Sequence, residues 1–228
     1  VQVLLDLFRE YYFNSSANGD FKFIQVSTDE VYGDLSIDEP PFTEERKYTP
    51  KNPYSASKAA GDHLVSSYIN TYNLPLIITN CSNNYGPNQH REKLIPKTIY
   101  SAMNNIPIPI YGNGTNIRDW IYVDDHCEAL INIINSPYDI NHFNIGGNCE
   151  LENIYLVKKI CTILSNKLSN DKQYEKLIEF VEDRPGHDYR YAIDNSLILK
   201  NLDWKPSRSF EEGLAYTINF YLNKYKQE

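Results

Sequence analysis

The chain has 228 residues, 41% apolar and 23% charged, enough for one substantial core or for a large and a small lobe. Its net charge of −8 argues against a nucleic-acid-binding face, since neutralising phosphates needs a basic surface, although a local arginine cluster would still suit an anionic sugar nucleotide. No stretch approaches the roughly 20 apolar residues of a membrane span, and residues 1–9 carry neither a basic leader nor a small-residue cleavage site.

The four cysteines, Cys81, Cys127, Cys149 and Cys161, show no CxxC pair and no Cys/His metal spacing. Reduced thiols in a cytoplasmic protein are therefore expected.

Val1 to about Tyr12 reads as an amphipathic helix with Val1, Leu4, Leu5 and Phe8 on one face. A polar turn over 14–20 precedes a short apolar run, Phe21 to Ser27, expected to be a strand buried in a parallel sheet. A helix begins near Pro53, a residue suited to the first turn, and runs to about Tyr72. Leu74 to Asn80 is the next strand, Asn83 to Asn88 a loop, and Lys93 to Asn104 a helix. This alternation is the βαβ signature. Beyond about Ile106 the pattern changes. Short extended pieces (Ile108 to Tyr111, Trp120 to Val123, His142 to Ile145, Ile178 to Glu182) surround helices at Asp125 to Asn135 and Asn153 to Asn166. Asp124 and Asp125 are expected to cap the first of these two helices. A polar loop over 166–176, an element at Asn195 to Asn201 and a helix at Phe210 to Tyr225 complete the chain.

Two motifs carry chemistry. Ser27-Thr28-Asp29-Glu30-Val31-Tyr32-Gly33 ends a strand, and ligands of open parallel sheets sit at the carboxyl ends of strands. Tyr54-Ser55-Ala56-Ser57-Lys58 places a phenol and an ammonium at i and i+4, on one helical face. A free tyrosine is a poor base at neutral pH, and a nearby ammonium is expected to lower its pKa by stabilising the phenolate.

With these motifs, and with Asn80 to Pro87, Glu92 to Pro96, Arg118 to Val123, Asn144 to Gly147 and Asp183 to Asp188 following in order, the chain resembles the extended short-chain dehydrogenase/reductase family. Within that family it is most similar to the nucleotide-sugar 4,6-dehydratases. The resemblance implies an α/β fold, the C-terminal part of a Rossmann-type doubly wound parallel sheet with a smaller α+β substrate-binding lobe. Residues 1–105, with later returning segments, would carry the catalytic residues beside NAD, and residues 106–228 would mainly hold the nucleotide sugar. It implies catalytic roles for Thr28, Asp29, Glu30, Tyr54 and Lys58, and cofactor contacts from Ser27, Tyr54 and Lys58. Tyr54 would remove the C4 hydroxyl proton as the C4 hydride goes to NAD+, with Lys58 holding the phenolate and Thr28 orienting the C4 oxygen. Glu30 would take the C5 proton, and Asp29 would protonate the departing C6 hydroxyl. Asn83, Arg118, Asn153 and Arg184 would surround the diphosphate, for which arginine's planar fork is suited. Glu92, Lys93 and Leu94 would line the base, and His187 and Tyr191 would form pocket walls. The substrate would be dTDP-glucose or UDP-glucose and the assembly a homodimer, with no nucleic acid, membrane or metal involved. An epimerase or decarboxylase of the same family, or a non-catalytic sugar-nucleotide-binding fragment, are the alternatives.

The ten glycines include no GxGxxG or GxxGxxG after a strand, and Gly112 and Gly114 fall in a turn between extended pieces. In the family that phosphate-binding half comes first, so the chain is expected to open inside the helix before the fifth strand. A parallel strand would then keep an unpaired edge. These 228 residues alone are expected to bind NAD poorly and to make no product; robust turnover by the purified chain would refute this.

Overall fold

The computed structural model describes residues 1–15, 21–137, 139–168 and 172–226. Part of the expected polar turn (16–20) and part of the expected polar loop (169–171) lie outside the described residues.

Helix α1 (Gln2–Asn14) buries Leu5 and leans Phe8 and Tyr12 on Val65, Leu74, Leu76 and Ile78. Strand β1 (Phe23–Thr28) follows. Helix α2 (Pro53–Tyr72) starts where expected. Asn52 accepts from the Ser55 backbone, Ser55 reciprocates, and Pro53 supplies a fixed φ for the first turn. Asn73 ends it in the left-handed conformation, φ 51°. Strand β2 (Leu76–Cys81) comes next, buried along almost its whole length, as a strand covered on both faces must be. The remaining elements are β3 (Asn83–Tyr85), α3 (Leu94–Asn104), β4 (Ile108–Tyr111), β5 (Ile117–Tyr122), α4 (Val123–Asn135), β6 (His142–Ile145), β7 (Glu150–Glu152), α5 (Asn153–Leu168), β8 (Ile178–Val181), α6 (Ser196–Leu202) and α7 (Phe210–Tyr225).

The first sheet is parallel in the order β1-β2-β6, with Ser27 opposite Asn80 and Asn80 opposite Asn144. A second sheet, β3-β5-β7, pairs β5 in parallel with β3 and antiparallel with β7, and β4 and β8 make a parallel pair. Ile77, Phe143 and Ile145 of the first sheet pack on Ala129 and Ile133 of α4 and on Ile198 and Trp204. A larger core joins β3 and β5 to α3, α5 and α7 through Tyr85, Ile99, Ile160, Leu214 and Tyr221. A third cluster, with Val31, Tyr32, Leu35, Phe42 and Tyr191, pins the loop after β1 to the segment before α6.

Several boundaries differ from the sequence expectation. Asn83 to Tyr85 is a strand and not part of a loop, because it finds a partner in Trp120 to Tyr122 of the wholly buried β5. Helix α4 begins at Val123, so Asp124 and Asp125 lie in its first turn instead of capping it; their charge still complements the helix dipole. Asp125 instead accepts from the Ser207 hydroxyl (2.6 Å) and backbone N–H (3.1 Å). Helix α5 continues to Leu168, two residues past its expected end at Asn166.

Among the described residues β1 pairs on one side only, and its Val26 side chain is exposed. Cys161 is buried, Cys81 and Cys149 are half-buried, and Cys127 is exposed on α4. No helix of the described residues is long and apolar enough to cross a membrane.

The turn after β6 meets β5 so closely that only glycine fits at position 147. A Cβ there would lie 1.8 Å from the Trp120 carbonyl oxygen. The Gly147 N–H donates to the buried Asp119 carboxylate (3.1 Å), as does that of Cys149 (2.7 Å). Gly147→Ala is expected to destabilise the fold by about 2–4 kcal/mol, because the clash is with backbone that cannot rotate away. Urea unfolding measures this, and a loss under about 0.5 kcal/mol would contradict the packing.

Candidate active site

The carboxyl end of β1 delivers Ser27 and Thr28, and the chain then tightens into a 3-10 turn over Asp29–Tyr32. Thr28 caps that turn. Its Oγ1 accepts from the Glu30 N–H (3.3 Å) and donates to Asp29 Oδ1 (3.1 Å). Tyr32 anchors the far end, fully buried, with its hydroxyl donating to Asn144 Oδ1 (2.8 Å). The two carboxyl groups are thus presented by a short rigid turn.

Their environments differ. Asp29 is 2% exposed, and burial, then the neighbouring Glu30 and Asp119, push its pKa from 3.8 to about 8. It keeps its proton at neutral pH. Glu30 is half-buried; burial raises its pKa, opposed by Arg118 and by a hydrogen bond with Asn52. An acid and a base side by side are what an elimination requires.

Tyr54 and Lys58 lie on α2 as expected, and Tyr54 is 55% exposed. The expected depression of the Tyr54 pKa is not what the structure shows. Burial of the phenol's inner side, then Glu30, Cys81 and Asp29, raise it. Lys58 does not oppose this, because its Nζ donates to the Val26 carbonyl (2.8 Å) on the free edge of β1. Ser27, expected to contact the cofactor, is 4% exposed and gives its hydroxyl to Asp62 Oδ2 (2.6 Å).

Arg118, expected at a diphosphate, is 7% exposed and wrapped by backbone. Its guanidinium donates to the carbonyls of Ile117 (2.7 Å), Asp188 (2.9 Å) and Tyr189 (3.2 Å). One face stacks on Tyr191, 4.3 Å from the ring centre. Its charge reaches both Asp29 and Glu30. Arg184 is exposed over the Tyr111 ring (5.0 Å), and His187 is held by Asp183 (2.6 Å), leaving its Nε2 buried without a protein partner among the described residues. Burial lowers the His187 pKa, and both arginines lower it further. Tyr191 is buried and donates to Asp188 Oδ2 (2.5 Å). Asn153 opens α5, its N–H on the Asn116 carbonyl (3.0 Å), and Asn116 in turn donates to the Asp188 carbonyl (3.2 Å). Arg118, Arg184, His187 and Tyr191 therefore share one neighbourhood with the acidic pair, and Asn153 adjoins it.

Asn83 stands on β3 opposite Trp120. Glu92 and Lys93 are exposed and Leu94 half-buried at the start of α3. Among the described residues no hydrogen bond ties these four to the acidic pair.

The sequence reading missed Asp62, Asp119, Asn80 and Asp188. Asp62 sits four residues beyond Lys58, a spacing that was readable. The others act through contacts distant in sequence.

A family model described as GDP-mannose 4,6 dehydratase matches residues 1–217. A dTDP-glucose 4,6-dehydratase of Haemophilus influenzae is 49% identical over 225 residues, covering 96% of this chain and 67% of that protein. One of Escherichia coli is 47% identical over 235 residues, covering 97% and 65%. Among solved structures, a dTDP-glucose 4,6-dehydratase from Bacillus anthracis in complex with NAD superposes with a TM-score of 0.87 at 41% identity, covering 99% of this chain and 67% of that one. The chain thus spans about two thirds of the length of these relatives.

The raised Asp29 pKa has a consequence for stability. The unfolded carboxyl ionises as pH passes 3.8, whereas the folded one keeps its proton to about 8. Folding is therefore penalised increasingly between those values, and the penalty is constant above them. Asp29→Asn is expected to stabilise the protein at pH 8 by on the order of 1–3 kcal/mol and to leave it unchanged near pH 4. Urea unfolding at the two pH values checks this; equal effects at both would show that Asp29 ionises normally.

Proposed function

Because the chain belongs to the GDP-mannose 4,6 dehydratase family, we propose that it is the catalytic and substrate-binding part of a nucleotide-sugar 4,6-dehydratase that converts dTDP-glucose to its 4-keto-6-deoxy derivative with NAD. The observation that carries this is the pairing, on one turn, of a buried carboxyl that keeps its proton and a shallower carboxyl beside Arg118.

The residues present fit one end of the cofactor. Tyr54 offers an exposed phenol, and the Lys58 ammonium has three donors, of which Val26 takes one. Lys58 reaches the open edge of β1 and Tyr54 lies one helical turn before it, so the nicotinamide and its ribose suit them. The described residues offer no glycine-rich cradle for the diphosphate end. When bound, NAD+ would supply the acceptor for the C4 hydride, and its reduced form would supply the hydride for C6.

The protein's own groups do the rest. Thr28 Oγ1 orients the C4 oxygen, and Tyr54 takes the C4 hydroxyl proton. Lys58, moved from Val26 to the phenol, would lower the Tyr54 pKa that burial and the carboxyl groups raise. Once C4 is a ketone, the C5 proton is acidic and Glu30 removes it. Asp29, still protonated, gives its proton to the departing C6 hydroxyl, and water leaves; as the hydride reaches C6, Glu30 gives its proton back to C5, and the proton taken by Tyr54 restores that of Asp29. Arg118, Arg184, Asn83 and Asn153 hold the diphosphate, Glu92, Lys93 and Leu94 line the base, and His187 closes the pocket against Tyr111.

Residues 1–105, joined by β6, form the cofactor side and residues 106–228 mainly the nucleotide-sugar side. The exposed stripe of Leu4, Leu7 and Tyr11 on α1, beside α2, suits a homodimer interface. Four free thiols suit a cytoplasmic protein.

Glu30→Gln and Asp29→Asn in the natively expressed protein, with NAD supplied, are expected to cut 4-keto product formation by roughly 100-fold or more while reduced nicotinamide still accumulates. Loss of both signals together would overturn the assigned roles. Supplying dTDP-glucose and UDP-glucose in parallel identifies the base. In the wild type, kcat is expected to fall as pH rises through about 8, where Asp29 loses its proton.

A further inference from the structure

Helix α2 carries Tyr54 and Lys58, and one more turn along the same face it carries Asp62. The catalytic mechanism uses the first two and not the third. Yet Asp62 is completely buried, and buried carboxyl groups are retained only with partners. Its Oδ2 accepts the Ser27 hydroxyl at 2.6 Å. Ser27 is the residue immediately before Thr28, Asp29 and Glu30. The Tyr48 hydroxyl and the Asn80 side chain face the same carboxyl, and Lys58 lies within its field.

The neighbouring contacts reinforce this link. Lys58 Nζ holds the Val26 carbonyl (2.8 Å), so α2 grips two consecutive residues of β1, one by backbone and one by side chain. Between Lys58 and Asp62 the helix comes close to the strand. A Cβ on Gly61 would lie 3.4 Å from Gln25 Nε2 and 3.2 Å from Val1 Cγ2, which leaves little room for a side chain.

We propose that Asp62 is a positioning residue for the reaction: through Ser27 it sets the strand end that carries Thr28, Asp29 and Glu30 against the helix that carries Tyr54 and Lys58. This rests on the dehydratase reading given above. The two halves of the site come from different elements, and a displacement of about 1 Å between them can cost about 100-fold in rate. The Ser27 hydroxyl accordingly serves this link.

Four variants of the natively expressed protein test the proposal: Asp62→Ala, Asp62→Asn, Ser27→Ala and the Asp62→Ala/Ser27→Ala double. Asp62→Ala is expected to lower kcat by roughly 30- to 100-fold with KM for the nucleotide sugar within about threefold. Asp62→Asn keeps an oxygen for the Ser27 hydroxyl and is expected to recover kcat to within about fivefold of wild type. Ser27→Ala should match Asp62→Ala, and the double variant should be no worse than either, since one link is broken only once. Amide hydrogen exchange over residues 28–32 reads the positioning without turnover. It should quicken in Asp62→Ala and Ser27→Ala and return to the wild-type rate in Asp62→Asn. Wild-type kcat and exchange in a folded Asp62→Ala protein would overturn the proposal. So would multiplicative losses in the double variant, or an Asp62→Asn protein as impaired as Asp62→Ala. If the wild-type protein makes no keto sugar, the dehydratase reading falls, and the exchange rates still decide whether Asp62 holds the strand end.

Discussion

Asn80, fully buried at the end of β2, holds the carboxyl end of the first sheet together. Its Nδ2 donates across to the Thr28 carbonyl (3.0 Å) on β1. Its Oδ1 accepts from the Tyr48 hydroxyl (3.2 Å) in the covering loop and from His142 Nε2 (2.5 Å) on β6. One amide therefore ties both neighbouring strands and the loop above them. Burial pulls the His142 pKa down to about 4, so the ring is neutral and its Nε2 proton is the one donated. Asn144 extends the arrangement, accepting from Tyr32 and donating to the Phe42 carbonyl (2.9 Å). A buried polar network of this kind specifies one arrangement only when its members are satisfied together, and it fixes where the turn after β1 must go.

The placement of that turn sets the electrostatics. Asp29 is drawn inward, where water cannot stabilise its charge and Asp119 lies beneath. Glu30, one residue later, is left shallower, within the field of Arg118. The asymmetry needs no special residue type, because two carboxyl groups one position apart differ in depth. Arg118 can serve in such a place because its planar guanidinium finds three carbonyls and the Tyr191 face, and so stays charged while buried.

The local half of this design was legible in the sequence. The start of α2 near Pro53, the i/i+4 pair Tyr54 and Lys58, and the apolar run ending at Ser27 all follow from residue type and spacing within one element. What was not legible depends on distant partners. Asn83 to Tyr85 became a strand only because β5 lies beside it. The Tyr54 pKa rises because burial, and then the carboxyl groups of another element, disfavour the phenolate while Lys58 turns to a strand carbonyl, where helical spacing alone suggested the opposite. Arg118 was readable as a cation but not as one enclosed by the segment 70 residues later, Asp188 to Tyr191. Asp62 was hidden in plain sight, since its role depends on the burial of Ser27.

The cysteines have a practical consequence. Burial pushes the thiols of Cys81, Cys149 and Cys161 to about 12, 11 and 12, so at neutral pH they hold almost no thiolate, the form that attacks an electrophile. Cys127 alone is exposed, on the outer side of α4. A maleimide dye added to the folded protein would therefore mark one position, giving a single optical reporter on the helix that packs against the first sheet without any engineered cysteine.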